Sequence, residues 1–136
     1  ASSPCRKDWE HGLFTDEGEP VVLGQVQNQV ADHKGIVWTH VISLRREDAA
    51  RLGYDSAVQW MALLRSKRAM LCKHMKIDSA NLKWYAAFHN ESHHPHVHLL
   101  VYSVKDGEGY LTKQSIEAMR SELAHDIFRQ DFCKYL

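Results

Sequence analysis

Cysteine is scarce and unpatterned: Cys5, Cys72 and Cys133 are odd in number, far apart and in no CxxC pair. That argues against both a disulfide framework and a cysteine zinc site, and predicts a reducing, cytoplasmic setting. No apolar run approaches the length a bilayer requires, and the N-terminus lacks the charged-then-apolar layout of a secretion signal. A soluble protein with no membrane insertion is therefore expected. Charge of one sign is lacking too. Lys plus Arg and Asp plus Glu number 17 each, so there is no global basic signal for nucleic acid and any such attraction must come from local patches. No repeat or low-complexity segment appears, and 136 residues suit one domain with a real core. An initiator methionine is also missing, and the chain stops at Tyr135-Leu136 inside a helical pattern. A fragment of a longer protein is the expectation.

Positive charge gathers in mid-chain. Arg45, Arg46 and Arg51 are followed by Arg65, Lys67, Arg68, Lys73 and Lys76, a pattern that a solvated helix face also produces. Residues 1–20 are polar and broken by Pro4, Gly12, Gly18 and Pro20, so they read as a leader or loop, with Leu13 and Phe14 the only points of attachment to a core. The domain is then expected over 21–136. Val21 to Val30 predicts a short helix, and Ile36 to Leu44, β-branched and aromatic throughout, predicts a central strand buried on both faces. A helical turn at Arg46 to Ala50 closes at Leu52-Gly53. Asp55 is placed to cap one long helix carrying Trp60, Leu64, Leu71 and Met75 on one face. Leu82 to His89 alternates as a strand, His96 to Val104 follows as its hairpin partner, and Thr112 caps a last helix with Ile116, Met119, Leu123 and Ile127 at helical spacing. The order predicts an α+β fold: an antiparallel sheet with helices packed on one face and the other face left for a site.

What the chain has in abundance is histidine. Five of its ten lie between His89 and His98, and the run continues into Leu99-Leu100-Val101-Tyr102. Alternate side chains of a strand share a face, so His96 and His98 stand side by side while Val97, Leu99 and Val101 turn to the core. His89, at the end of the preceding strand, closes a third ligand position across a short loop. Three imidazoles suit a borderline divalent metal and leave coordination positions open. His93 and His94 fall in the loop and are taken as incidental. A solvated, fortuitously metal-binding tract is the bland alternative, and the match between histidine spacing and strand period weighs against it.

The histidine pair separated by one large apolar residue, with a further histidine upstream, resembles the HUH endonucleases. The run through Val37-Trp38-Thr39-His40-Val41-Ile42-Ser43-Leu44, Trp84-Tyr85-Ala86-Ala87-Phe88-His89 and Pro95-His96-Val97-His98 is similar to the relaxase domain of bacterial mobilisation proteins, the MobA/MobL-like group. That resemblance implies a single manganese or magnesium ion on His89, His96 and His98, with Glu91 as an acidic helper. It implies nicking and rejoining of single-stranded DNA at the transfer origin of a plasmid or conjugative element, with accessory relaxosome and coupling proteins as partners. In relaxases a tyrosine, or in some branches a histidine, near the N-terminus attacks and becomes linked to the DNA 5′ end. Here the pattern departs: the first tyrosine is Tyr54, and His11 is the candidate nucleophile in the N-terminal segment. Either the nucleophile lies upstream of Ala1, the favoured expectation, or His11 serves, or this chain cannot nick.

Among the remaining candidates, His40 is read either as a site residue or as a core histidine satisfied by a backbone group. Tyr85 is read as lining the site and stacking on a base, or as packing. Arg45 and Arg46 are candidate phosphate contacts. Two other readings stay open: a different HUH enzyme, a rolling-circle replication initiator or transposase, for which Tyr135 is the available tyrosine; and a non-enzymatic domain that binds metal and single-stranded DNA.

Overall fold

Alternation in Leu82–His89 (β3) and His96–Ser103 (β4) is realised as an antiparallel hairpin in which all eight residues of each strand are paired, from Leu82 opposite Ser103 to His89 opposite His96. These coordinates are a computed structural model that describes residues 13–19, 21–90, 94–129 and 131. Leu13–Phe14 (β1) pairs with β3, and Val37–Ser43 (β2) pairs with β4, giving an antiparallel sheet of order β1-β3-β4-β2. Among the described residues the helices are Leu23–Asp32 (α1), Arg46–Leu52 (α2), Ala57–Ser66 (α3), Arg68–Met75 (α4) and Lys113–Ile127 (α5). The expected α+β sheet with its histidine strands is the fold observed.

One face of the sheet carries Trp84, Ala86, Val97, Leu99 and Val101, all buried. They meet Ala49 and Leu52 of α2, Trp60 and Leu64 of α3, Leu71 and Met75 of α4, and Met119 and Ile127 of α5 in a single core. The helix ends follow the capping chemistry in the sequence. Gly53 takes the left-handed conformation that closes α2, with φ 86°, and the Thr112 side chain accepts the Ser115 backbone N–H at 3.0 Å to open α5.

Four expectations are corrected. Among the described residues the strand β2 lies at the sheet edge, bonded to β4 alone; Trp38, His40 and Ile42 turn toward the helix-side core while Thr39, Val41 and Ser43 are exposed. Its continuous apolar composition is that of a buried strand; its place in the sheet order overrides the composition. The single long helix is two, α3 capped at Ser56 rather than Asp55, with the break at Lys67. Position 67 continues the buried stripe of Trp60 and Leu64 at helical spacing, and the lysine standing there pairs with Asp126 of α5. Part of the expected leader is inside the fold: Phe14 is buried edge-on against Trp84, and Asp16 accepts the Trp84 indole N–H at 2.8 Å while pairing with Arg68. Finally, the second sheet face is not wholly free. Helix α1 lies on it, with Val26 packed over Tyr85 and Tyr102 in a smaller cluster that includes Leu100 and Val37. This cluster sits at the far end of the strands from the histidines.

Candidate metal centre

The hairpin register decides the site. His89 is the last residue of β3 and faces His96, the first of β4, while His98 follows two places on, opposite Ala87 on one side and Val41 on the other. Pro95 precedes β4, and its carbonyl accepts the Leu44 N–H at 3.1 Å, which continues the β2–β4 pairing past the histidine end. The rings of His89 and His96 stack at 4.9 Å between centroids, and His98 stands edge-on to both at 4.8 and 5.0 Å. One ligand nitrogen from each lies within 4.8 Å of the others. A divalent ion bonded at about 2.1 Å holds such nitrogens about 3 to 3.5 Å apart, a closure that small side-chain rotations supply. The three imidazoles form a donor set that could hold a divalent metal ion.

Burial grades across the three. His89 is 2% exposed, whereas His96 and His98 are half-buried and leave the site open on the solvent side. His96 Nδ1 lies 3.1 Å from the His94 carbonyl oxygen; a carbonyl only accepts, so Nδ1 carries the proton and Nε2 keeps its lone pair for a metal. Burial, then the neighbouring His89 and His96, push the His98 pKa below its ordinary value. Each effect disfavours imidazolium, so the neutral form that binds metal prevails at neutral pH.

The other expected site residues divide. Arg46, opening α2, donates through Nη1 to Asn90 Oδ1 at 2.5 Å, which fixes its guanidinium beside the residue following His89. Arg45 is exposed and pairs with Asp48 at 3.2 Å. Strand alternation sets His40 opposite Leu99, on the helix face and away from the histidine cluster, where it shares a cavity with Ile116, Arg120 and Leu123. Its Nε2 is buried with no hydrogen-bond partner among the described residues. Burial and the Arg120 charge lower its pKa and keep it neutral. Tyr85 shares the ligand face, as alternation predicts, yet it is 7% exposed beneath α1 and donates its hydroxyl to Gln29 at 3.1 Å. That makes it a packing residue, not a platform for a base. Tyr54 stacks obliquely on Trp60 in the helix-side core, with the sheet between it and the histidines. Cys5, His11, Glu91, His93, Cys133 and Tyr135 lie outside the described residues.

Two partners escaped the sequence reading, Asn90 and Gln29. Asn90 had a usable signal, being the polar residue directly after a ligand; Gln29 had none, since its partners are 56 and 73 residues away.

A sequence model of the MobL relaxases matches residues 8–133. The chain belongs to the MobL relaxase family. As a family, MobL relaxases bring a DNA-nicking activity, a role in mobilisation and binding of single-stranded DNA. No curated protein and no solved structure gives a match. Among the described residues of this MobL relaxase, no helix is long and apolar enough to cross a membrane.

Proposed function

We propose that this domain nicks and rejoins one DNA strand at the transfer origin of a plasmid or conjugative element, with His89, His96 and His98 holding one manganese or magnesium ion. The observation that carries the reading is the convergence of three imidazoles on one open end of the sheet, in a chain matched almost throughout by a relaxase family. When bound by the three histidines, a divalent ion would supply Lewis-acid stabilisation of charge developing on the scissile phosphate. Imidazoles are neutral ligands, so they leave the ion's double charge undiminished for an anionic substrate. Arg46, oriented by Asn90, offers its planar donor fork to non-bridging phosphate oxygens, and Arg45 offers a second contact further along the backbone. Glu91, adjacent in sequence to this end of the hairpin, assists the histidines. Within the chain His11 is the candidate nucleophile. Its attack would form a bond to phosphorus as the phosphorus–O3′ bond breaks, leaving the 5′ end on the protein and a 3′ hydroxyl free to reverse the step.

The test combines calorimetry with a denaturing gel. The protein should take up one Mn2+, and the denaturation-resistant species formed with single-stranded DNA from its own mobile element, by this chain or by a form extended upstream of Ala1, should be abolished by EDTA and by the His96→Ala/His98→Ala pair. An adduct that survives both sinks the metal assignment. Loss of the adduct in His11→Ala, with Tyr54→Phe unaffected, assigns the attack to His11. An adduct made only by a protein extended upstream of Ala1 assigns it to a residue outside this chain. For Arg46→Gln, single-strand affinity should fall and the salt slope should shrink by about 0.7, the contribution of one phosphate.

A further inference from the structure

Helix α1 is unusual in what it shows to solvent. Its exposed positions include Gln25, Gln27, Asn28 and Gln29, and its only charged residue is Asp32. An ordinary solvated helix face carries Lys, Glu and Arg, as α5 does with Lys113, Glu117, Arg120 and Glu122. Gln29 is spoken for, since the Tyr85 and Tyr102 hydroxyls both donate to its Oε1. Helical spacing puts Gln25, Gln27 and Asn28 on the outward arc, away from buried Val26, with Gly24 between them. That glycine has no packing reason: a Cβ built there meets nothing within 4 Å. A glycine in a helix sacrifices stability relative to alanine, and one recurrent use of its bare backbone is the close approach of a ligand.

Position completes the case. α1 lies on the same sheet face as the histidines, over Leu100 and Tyr102, two and four strand residues beyond His98. At about 3.3 Å per residue this is roughly 7 to 13 Å, one or two nucleotides along a single strand. Amides both donate and accept, which matches base edges, and although they can also donate to phosphates, a helix without Lys or Arg lacks the charge for a phosphate grip.

Resting on the single-strand reading above, we propose that the outer face of α1 is the specificity element of the site: Gln25, Gln27 and Asn28 read base edges next to the scissile phosphate, and Gly24 lets a base lie against the helix backbone. Phosphate grip at the Arg46 end and base readout at the α1 end divide the labour.

The experiment is selection from a randomised single-stranded DNA pool in Mn2+, followed by affinity measurements on the winning oligonucleotide. The parent should enrich defined bases at a few adjacent positions. Gln25→Ala/Gln27→Ala/Asn28→Ala should lose that enrichment and bind the winner about tenfold more weakly, with the salt slope and Mn2+ stoichiometry unchanged. Gly24→Ala should raise the melting temperature yet weaken binding, a divergence that a purely structural role would not produce. Unchanged base preferences in the triple variant overturn the proposal and hand the α1 face to solvent or to another partner. A parent that binds no single strand at all overturns the function reading itself, an outcome distinct from the first.

Discussion

The two faces of one sheet are built from the same strands and do opposite things. On the helix face, Trp84, Val97 and Val101 are 1%, 0% and 0% exposed and are covered by four helices. On the other face the intervening residues include three histidines, two of them half-open to solvent, and among the described residues helix α1 covers the distal end. Strand alternation thus separates stability from chemistry by one residue. The arrangement sets the three histidines on a rigid frame on the face opposite the main core, with His89 buried and His96 and His98 half-buried.

If that separation is real, equal truncations on the two faces must behave differently. Trp84→Ala should cost about 3 to 5 kcal/mol in urea unfolding of the metal-free protein, the largest effect expected, whereas His98→Ala should cost under about 1 kcal/mol. Equal losses would mean that the histidine face is structural. Metal should then sharpen the contrast: free Mn2+ at a hundredfold excess over its Kd should stabilise the parent by about 2.7 kcal/mol and the His96→Ala/His98→Ala protein by nothing.

Acid should touch both faces. His40 and His98 have pKa values lowered from 6.5, so the unfolded chain binds protons that the folded chain refuses. Their contribution to stability is complete above pH 6.5 and is lost as pH falls toward the depressed values. Denaturation of the metal-free protein between pH 7 and 5 should show this loss, and His40→Phe should reduce it while leaving Mn2+ binding intact. Tyr85→Phe should cost about 1 kcal/mol, from the lost hydroxyl bond to Gln29, with calorimetric metal binding unaltered.

Local signals carried the hairpin and the histidine cluster, because period-two alternation and a short loop fix both partners within one stretch of chain, Leu82 to Ser103. The cap at Thr112 and the turn at Gly53 were legible for the same reason. Sheet order was not: nothing inside Val37-Trp38-Thr39-His40-Val41-Ile42-Ser43 says whether one neighbour or two will bond to it, and the run was misread as central. The roof over Tyr85 was equally hidden, since contact between α1 and β3 spans more than fifty residues and leaves no periodic trace. Lys67 interrupted a stripe that otherwise read as one helix, and its partner Asp126 is distant in sequence.

The outward side of β2 has a practical consequence. Seven residues without a charge, a proline or a bulge-forming glycine present backbone donors and acceptors along a sheet edge that no described strand occupies, and Val41 there is 61% exposed. Such an edge is a template for another chain. Concentrated preparations should therefore self-associate through it, and one lysine at Thr39, exposed and clear of the histidines, should keep them monodisperse in light scattering.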